Sequence, residues 1–407
     1  MEIPIVDGGI DSGPWTKLLP GLWFKDEGFA ATAVTNSSIT YIDGDAGQLE
    51  YRGYPIEDLA EHSSFLEVTY LLLNGELPNS SELASWEETV AEHSHLDSHH
   101  HDALLEAFNR SSHPMGMLTS ALAALSTMYP DSRMIEDPDV RKIHTLHLIA
   151  KIPTIAAAAE NFRNGNPILS PIADLTHTEN FLAMVYGNGT KEYKPDPIFT
   201  KALEQLFILH ADHEQNCSTT AVRVVGSAHA DPYLAIAAGS AALSGPRHGG
   251  ANEAVINMLN KIDSLDNVDA FVDSVKNGDN LLWGFGHRVY KNYDPRAQII
   301  KDTAHQIFEI TGKNPKLDIA LKLEETALAD DYFINRKLYP NVDFYSGLIY
   351  QAMGFPVNTF TVLFAIARTS GWLAHWNEML ERNTRIARPR QLYIGHATRG
   401  FTDIENR

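Results

Sequence analysis

After residue 50, apolar side chains return at intervals of three and four residues and almost nowhere at intervals of two. A 3.6-residue period buries one face of a helix and cannot settle as a strand, so this recurrence narrows the fold further than any other feature. It begins at Pro55, in the place of a first-turn proline, and runs through Ile56, Leu59, Ala60, Phe65, Leu66, Tyr70 and Leu73 to Gly75. The same spacing predicts helices over 83–109, 115–128, 139–162, 198–225, 233–243, 252–262, 268–276, 297–311, 317–330, 344–353 and 358–381. The expected fold is mainly α. Only the first fifty residues read otherwise. There Ser38–Asp43 and the following Gly-Asp-Ala-Gly predict a short β hairpin near 38–52. Residues 258–361 are more charged and poorer in alanine than what precedes them, and the last apolar helix returns to the earlier character. This suggests a smaller helical domain (258–361) inserted into a larger one (1–257 and 362–407).

A chain of 407 residues, 44% hydrophobic, is long enough for two or three domains around a large core. Its 52 acidic against 32 basic residues give a net charge of −20, which disfavours nucleic acid or anionic lipid as the main partner. One cysteine, Cys217, allows no internal disulfide. Together with a start that has neither a basic nor an apolar signal segment, it points to the cytoplasm. No apolar run reaches the ~18–20 residues of a membrane span. His93, His95, His99, His100 and His101 crowd into nine residues, but Glu92, Asp97 and Asp102 make that stretch polar all round. It reads as a solvated surface, and no metal site is expected.

Against this acidic background, a few stretches carry chemistry. His248 sits between Gly245-Pro246 and Gly249-Gly250, just before a helix whose free N–H groups favour developing negative charge. The alternative is an ordinary turn with an exposed histidine. Gly284 and Gly286 bracket the approach to His287, and Arg288, Lys291 and Arg296 follow with only Asp294 opposing them. Arginine suits bidentate carboxylate recognition, although a solvated basic face would look the same. Arg368 lies in the apolar run Val362–Ala367 ahead of Trp372 and Trp376, so it is expected to be buried with a partner: a structural acid or an anionic ligand. Arg385, Arg388 and Arg390 form a further cationic cluster. Asp343, among Tyr339, Val342, Phe344 and Tyr345, is either a desolvated base with a raised pKa or an N-cap for the helix at Phe344.

The runs GPRHGGANE (245–253), GFGHRVYKNYDPR (284–296), LYPNVDFYSG (338–347) and ARPRQLY (387–393), with His213 in LHADHE (209–214), closely resemble citrate synthase, over nearly the whole chain. The likeness favours the bacterial long-subunit type. It implies a helical two-domain enzyme, an acyltransferase that condenses acetyl-CoA with oxaloacetate and hydrolyses citryl-CoA to citrate and CoA. By the same resemblance Asp343 is the base, His248 stabilises the enol and His287 polarises the oxaloacetate carbonyl. His213, Arg296, Arg368 and Arg388 hold oxaloacetate, Arg388 from a neighbouring subunit. Leu281, Gly284, Phe285, Gly286 and Asn341 line the CoA site. No cofactor is implied, since acetyl-CoA is a substrate. A homodimer is the minimum assembly and a homohexamer the expected one. Tyr129, His147 and Lys151 match an allosteric NADH site, but His147 replaces an arginine and Thr190 a cysteine of inhibited relatives. The alternatives are a 2-methylcitrate synthase using propionyl-CoA and a non-catalytic helical assembly protein.

Overall fold

The computed structural model describes residues 5–6, 8–10, 12–96, 105–187, 189, 193–312 and 314–407. These fall into two units, Met1–Ser37 with Ile386–Arg407, and Ser38–Arg385. In the terminal unit, strands Ile5–Val6 and Gly9–Ile10 pair antiparallel and a short helix, Ser12–Leu18, follows. Here the Arg390 guanidinium lies 4.8 Å from the centre of the Trp23 ring.

The larger unit is helix upon helix, as the periodicity requires. Five of its helices begin at an Asp-Pro or Asn-Pro pair: Pro138–Asn164, Pro197–His210, Pro232–Leu243, Pro295–Thr311 and Pro315–Leu328. In each, the preceding Asp or Asn accepts a backbone N–H of the first turn while proline supplies a pre-set φ and needs no partner. At the centre runs Phe360–Glu381, buried on every face along most of its length. Ringed by protein rather than half-solvated, it has no polar stripe.

Three departures from the expected helices have local causes. The stretch 54–75 is two helices, Ile56–His62 and Phe65–Asn74, because Ser64 turns its side chain onto the Glu67 N–H and starts the second one. Pro55 ends a short strand and stands at the N-cap rather than in the first turn. The stretch 198–225 is also two helices, Pro197–His210 and Cys217–Gly226, separated at 211–216 where Asn216 caps the second. A helix at His177–Tyr186 went unforeseen, although Thr176 and Glu179 form a complete capping box, a pattern visible in sequence. The expected helix 83–109 is present as Ser80–Glu92, and part of its remainder (97–104) lies outside the described residues.

The hairpin forms as expected: Thr40–Asp43 pairs antiparallel with Gln48–Tyr51, which pairs in turn with Tyr54–Pro55. It braces distant segments. Thr40 Oγ1 donates to Asp212 Oδ2 at 2.6 Å, and the Tyr51 hydroxyl donates to the Asp212 carbonyl at 2.8 Å. The Gly44 carbonyl accepts the Lys291 N–H at 2.8 Å, and Ser38 donates to Glu378. Among the described residues no helix is long and apolar enough to cross a membrane.

Candidate active site

The break at 211–216 turns the chain beneath the central helix. Gly371 makes this approach possible: a Cβ there would lie 2.3 Å from Asp212 Oδ1 and 2.5 Å from the Ala211 carbonyl. His375, one turn further along that helix, meets Asp212 Oδ2 through Nε2 at 3.2 Å. Burial pushes the Asp212 carboxyl up, but His375, Arg368 and Thr40 outweigh it and hold Asp212 ionised.

Arg368 projects from the same helix and is 2% exposed. Its Nε donates to the His210 carbonyl at 2.6 Å and its guanidinium faces the Phe364 ring at 4.7 Å. Among the described residues no carboxylate lies within ion-pair distance of it. Burial therefore pulls its pKa down to about 10, with Asp212 only partly compensating. A buried cation in this condition suits an anionic ligand.

Arg296 is equally buried but paired. Asp294 receives Nε at 3.0 Å and Nη2 at 2.9 Å in a two-pronged contact. Burial alone would lower the Arg296 pKa; Asp294 raises it above the ordinary value. The same carboxylate caps the helix Pro295–Thr311, whose second residue is Arg296, and accepts the Val342 N–H at 3.2 Å. Asp294 thus ties the arginine to the helix Val342–Ala352 that carries Asp343.

Asp343 is not the N-cap of that helix. Asn341 is, its Oδ1 accepting the Asp343 N–H at 3.0 Å, which leaves the Asp343 carboxylate unspent. Asp343 Oδ1 is buried with no hydrogen-bond partner in the structure. Desolvation lifts its pKa to about 6, against the lowering influence of Arg296 and Arg368. An aspartate so placed is a better proton acceptor than a solvated one.

Both glycine-flanked histidines are held as neutral donors. His287 Nδ1 accepts the backbone N–H groups of Val289 at 3.1 Å and Tyr290 at 3.3 Å, which assigns the ring proton to Nε2. His248 Nε2 receives the Ser218 N–H at 3.3 Å and lies 2.8 Å from the Ser218 hydroxyl, which assigns its proton to Nδ1. Burial, then the nearest arginine, lowers both to about 4, so neither is charged near neutrality. His213 is buried too, its ring 5.1 Å from that of His287, its Nε2 3.2 Å from the Tyr290 hydroxyl. The Arg368 charge bears on His213, His248 and Asp343 alike.

Two hydrogen bonds hold the His287 loop against the start of the Asp343 helix: Gly286 N–H to the Tyr339 carbonyl and Asn341 N–H to the Gly284 carbonyl. Gly284 has φ +79°, and a Cβ there would collide with Phe344 and Val255. Asn341 Nδ2 donates to the Gly286 carbonyl at 2.8 Å while Oδ1 caps the helix, so this one side chain ties the loop to the helix start. Phe285 packs edge-on against Phe344, whereas Leu281 is exposed.

The model of the family described as "Citrate synthase, C-terminal domain" matches residues 28–390. The citrate synthase of Corynebacterium glutamicum is 53% identical over 392 residues, covering 95% of this chain and 90% of its own. The peroxisomal citrate synthase of Dictyostelium discoideum is 52% identical over 397 residues, covering 95% and 80%. Among solved structures, the citrate synthase of Thermoplasma acidophilum, in ternary complex with carboxymethyl coenzyme A and oxaloacetate, has a TM-score of 0.84 at 33% identity, covering 92% of this chain and 97% of its own. The chain belongs to the citrate synthase family.

Sequence reasoning assigned no positioning role to Ser218, Tyr290 and Asp294, which meet His248, His213 and Arg296. The signal for Asp294 was the Asp-Pro pair that starts a helix; for Ser218 it was Asn216 two residues earlier, another cap. Arg388 lies in the terminal unit and is exposed. Tyr129, His147 and Lys151 do come together: the Tyr129 ring is 4.9 Å from His147, and Lys151 Nζ donates to the His93 and His95 carbonyls at 2.7 Å each. Burial, then Lys151, pulls His147 down to about 4. Thr190 and His99–His101 lie outside the described residues. Among the described residues no cluster of His, Cys, Asp and Glu is arranged to hold a metal.

Proposed function

We propose that these residues carry out the citrate synthase reaction in this chain: acetyl-CoA, oxaloacetate and water give citrate and CoA. Asp343 takes a proton from the acetyl methyl group while the His248 Nδ1–H donates to the thioester oxygen, where charge develops. The His287 Nε2–H polarises the oxaloacetate carbonyl, and the enol carbon attacks it to form citryl-CoA. Water then cleaves the thioester, releasing CoA and citrate. Arg368, Arg296 and His213 hold the two carboxylates of oxaloacetate. Base, donors and cations are all side chains, so the reaction as read needs no cofactor. The observation that carries the reading is the pairing of an unpartnered, desolvated Asp343 with two histidines kept neutral and each pinned at one nitrogen.

The 258–361 segment is the small domain that closes on the rest, excluding water until condensation is done. The CoA chain runs along 281–286 and Asn341, and since Asn341 is engaged on both sides, contact there is through backbone. Arg388 completes the site of a second subunit, so the working unit is a dimer, assembled to a hexamer of the long-subunit type. The single cysteine and acidic surface suit the cytoplasm. Thiol release from acetyl-CoA with oxaloacetate tests the activity: no CoA released would leave the non-catalytic reading standing. A higher kcat/KM with propionyl-CoA would transfer the assignment to 2-methylcitrate synthase, a difference of one methyl worth about 1–3 kcal/mol.

A further inference from the structure

The helix Val342–Ala352 carries two buried polar atoms without a partner in the structure, Asp343 Oδ1 and the Tyr350 hydroxyl. Tyr350 is fully buried, its ring packed against Phe355 and Phe360. An apolar residue would fill that space without leaving a hydroxyl unsatisfied, which costs about 1–3 kcal/mol. Seven residues apart, the two side chains lie on one face, two turns and about 10.5 Å of rise from each other. Helical side chains lean toward the N-terminus, so a tyrosine at the later position extends its phenol back toward the earlier one.

We propose that Tyr350 is a positioning residue for the base, its hydroxyl donating to Asp343 Oδ1 through bridging water as Asp343 becomes ionised. This rests on the reading of Asp343 as the base. Burial and then the Asp343 charge raise the Tyr350 phenol well above its ordinary value, so it keeps its proton and acts only as a donor. The other charges facing Asp343 are Arg296 and Asp294 from the start of the Pro295–Thr311 helix and Arg368 from the central helix. None of them donates a hydrogen bond to Oδ1. A donor at Tyr350 favours the ionised carboxylate and fixes which oxygen faces the methyl group.

The test compares pH profiles of kcat for the full-length enzyme and Tyr350→Phe. Loss of the donor makes Asp343 harder to ionise, so the acidic limb moves up by about half to one pH unit, with a several-fold lower kcat at neutral pH. The KM for oxaloacetate stays within about twofold. A purely structural Tyr350 gives the opposite pattern: deletion of an unsatisfied hydroxyl raises the melting temperature and leaves the acidic limb in place. That result would overturn the proposal. Should Tyr350→Phe fold poorly, 3-fluorotyrosine at position 350, a stronger donor, must move the limb down; an unmoved limb there overturns the proposal too. Asp343→Asn in the same assay keeps the two claims apart, because a variant retaining wild-type turnover would refute the base itself.

Discussion

Replacing Arg368 by methionine should leave the free protein as stable as before, or more so, and abolish its response to oxaloacetate. The change from 12.5 to about 10 in the Arg368 pKa corresponds to roughly 3 kcal/mol against the charged form. Methionine keeps the length and the contact with Phe364 and removes that charge. It forfeits the hydrogen bond to the His210 carbonyl, worth about 1.5–3 kcal/mol when the donor is charged. The two terms nearly cancel, so the unliganded melting temperature should move by only a few degrees. Binding is different. A buried carboxylate deprived of its cation loses about 3–5 kcal/mol, or roughly 10²–10⁴ in affinity. Thermal unfolding with and without millimolar oxaloacetate reads both quantities in one experiment, and titration calorimetry gives the affinity directly. The reasoning is refuted if Arg368→Met loses several kcal/mol of stability on its own and is still stabilised by oxaloacetate. Arg368 would then be part of the scaffold rather than the binding cation.

Asp343→Asn should lower kcat by about 10²–10⁴ with little change in oxaloacetate affinity, measured by single-turnover kinetics and calorimetry. Because the folded carboxyl titrates near 6 rather than 3.8, ionising it opposes folding; the penalty is absent below pH 3.8 and complete above about pH 6. The asparagine variant should therefore unfold later than wild type at pH 8, by up to about 3 kcal/mol, and the two should converge at pH 4. Ser218→Ala should cut kcat about tenfold to a hundredfold while the KM for oxaloacetate holds, since the hydroxyl it removes steadies His248 and otherwise meets only Trp372 and Asn216, neither of which is assigned to oxaloacetate; an equal change in both constants contradicts that role. NADH should inhibit weakly or not at all, and any inhibition should fade toward pH 8, because His147 stays neutral down to about 4 while burial lowers Lys151 to about 8, where it begins to lose its charge. Micromolar inhibition at pH 8 would show that other groups bind it.

Where one face of a helix meets the core, the sequence carried its own answer: Val268–Lys276 and Ala251–Ile262 appear with the expected limits or within a residue of them. The central helix was equally plain, and so was the oddness of Arg368 within it. What periodicity missed were interruptions made by single side chains. Ser64 and Asn216 each begin a new helix by accepting one or two N–H groups, and such a cap leaves no mark on an apolar repeat. The same blindness left Asp343 poised between cap and base. That choice turned on whether Asn341, two residues earlier, would supply the cap, which only the fold decides. Histidine tautomers were likewise out of reach, being set by backbone amides of Ser218, Val289 and Tyr290 that sequence does not orient.

The hairpin has a consequence for biosynthesis. Its strands leave the ribosome early, yet the groups they brace are made later: Asp212, Lys291 and finally Glu378, which lies 340 residues beyond Ser38. At about 5–20 residues per second, the hairpin waits roughly 20–70 s for its last partner. A nascent chain halted before the central helix therefore has neither Arg368 nor a finished cradle for it, and on the proposed reading lacks its oxaloacetate-binding cation. Completion of the early hairpin's contacts thus waits on the central helix, which is among the last segments to be made.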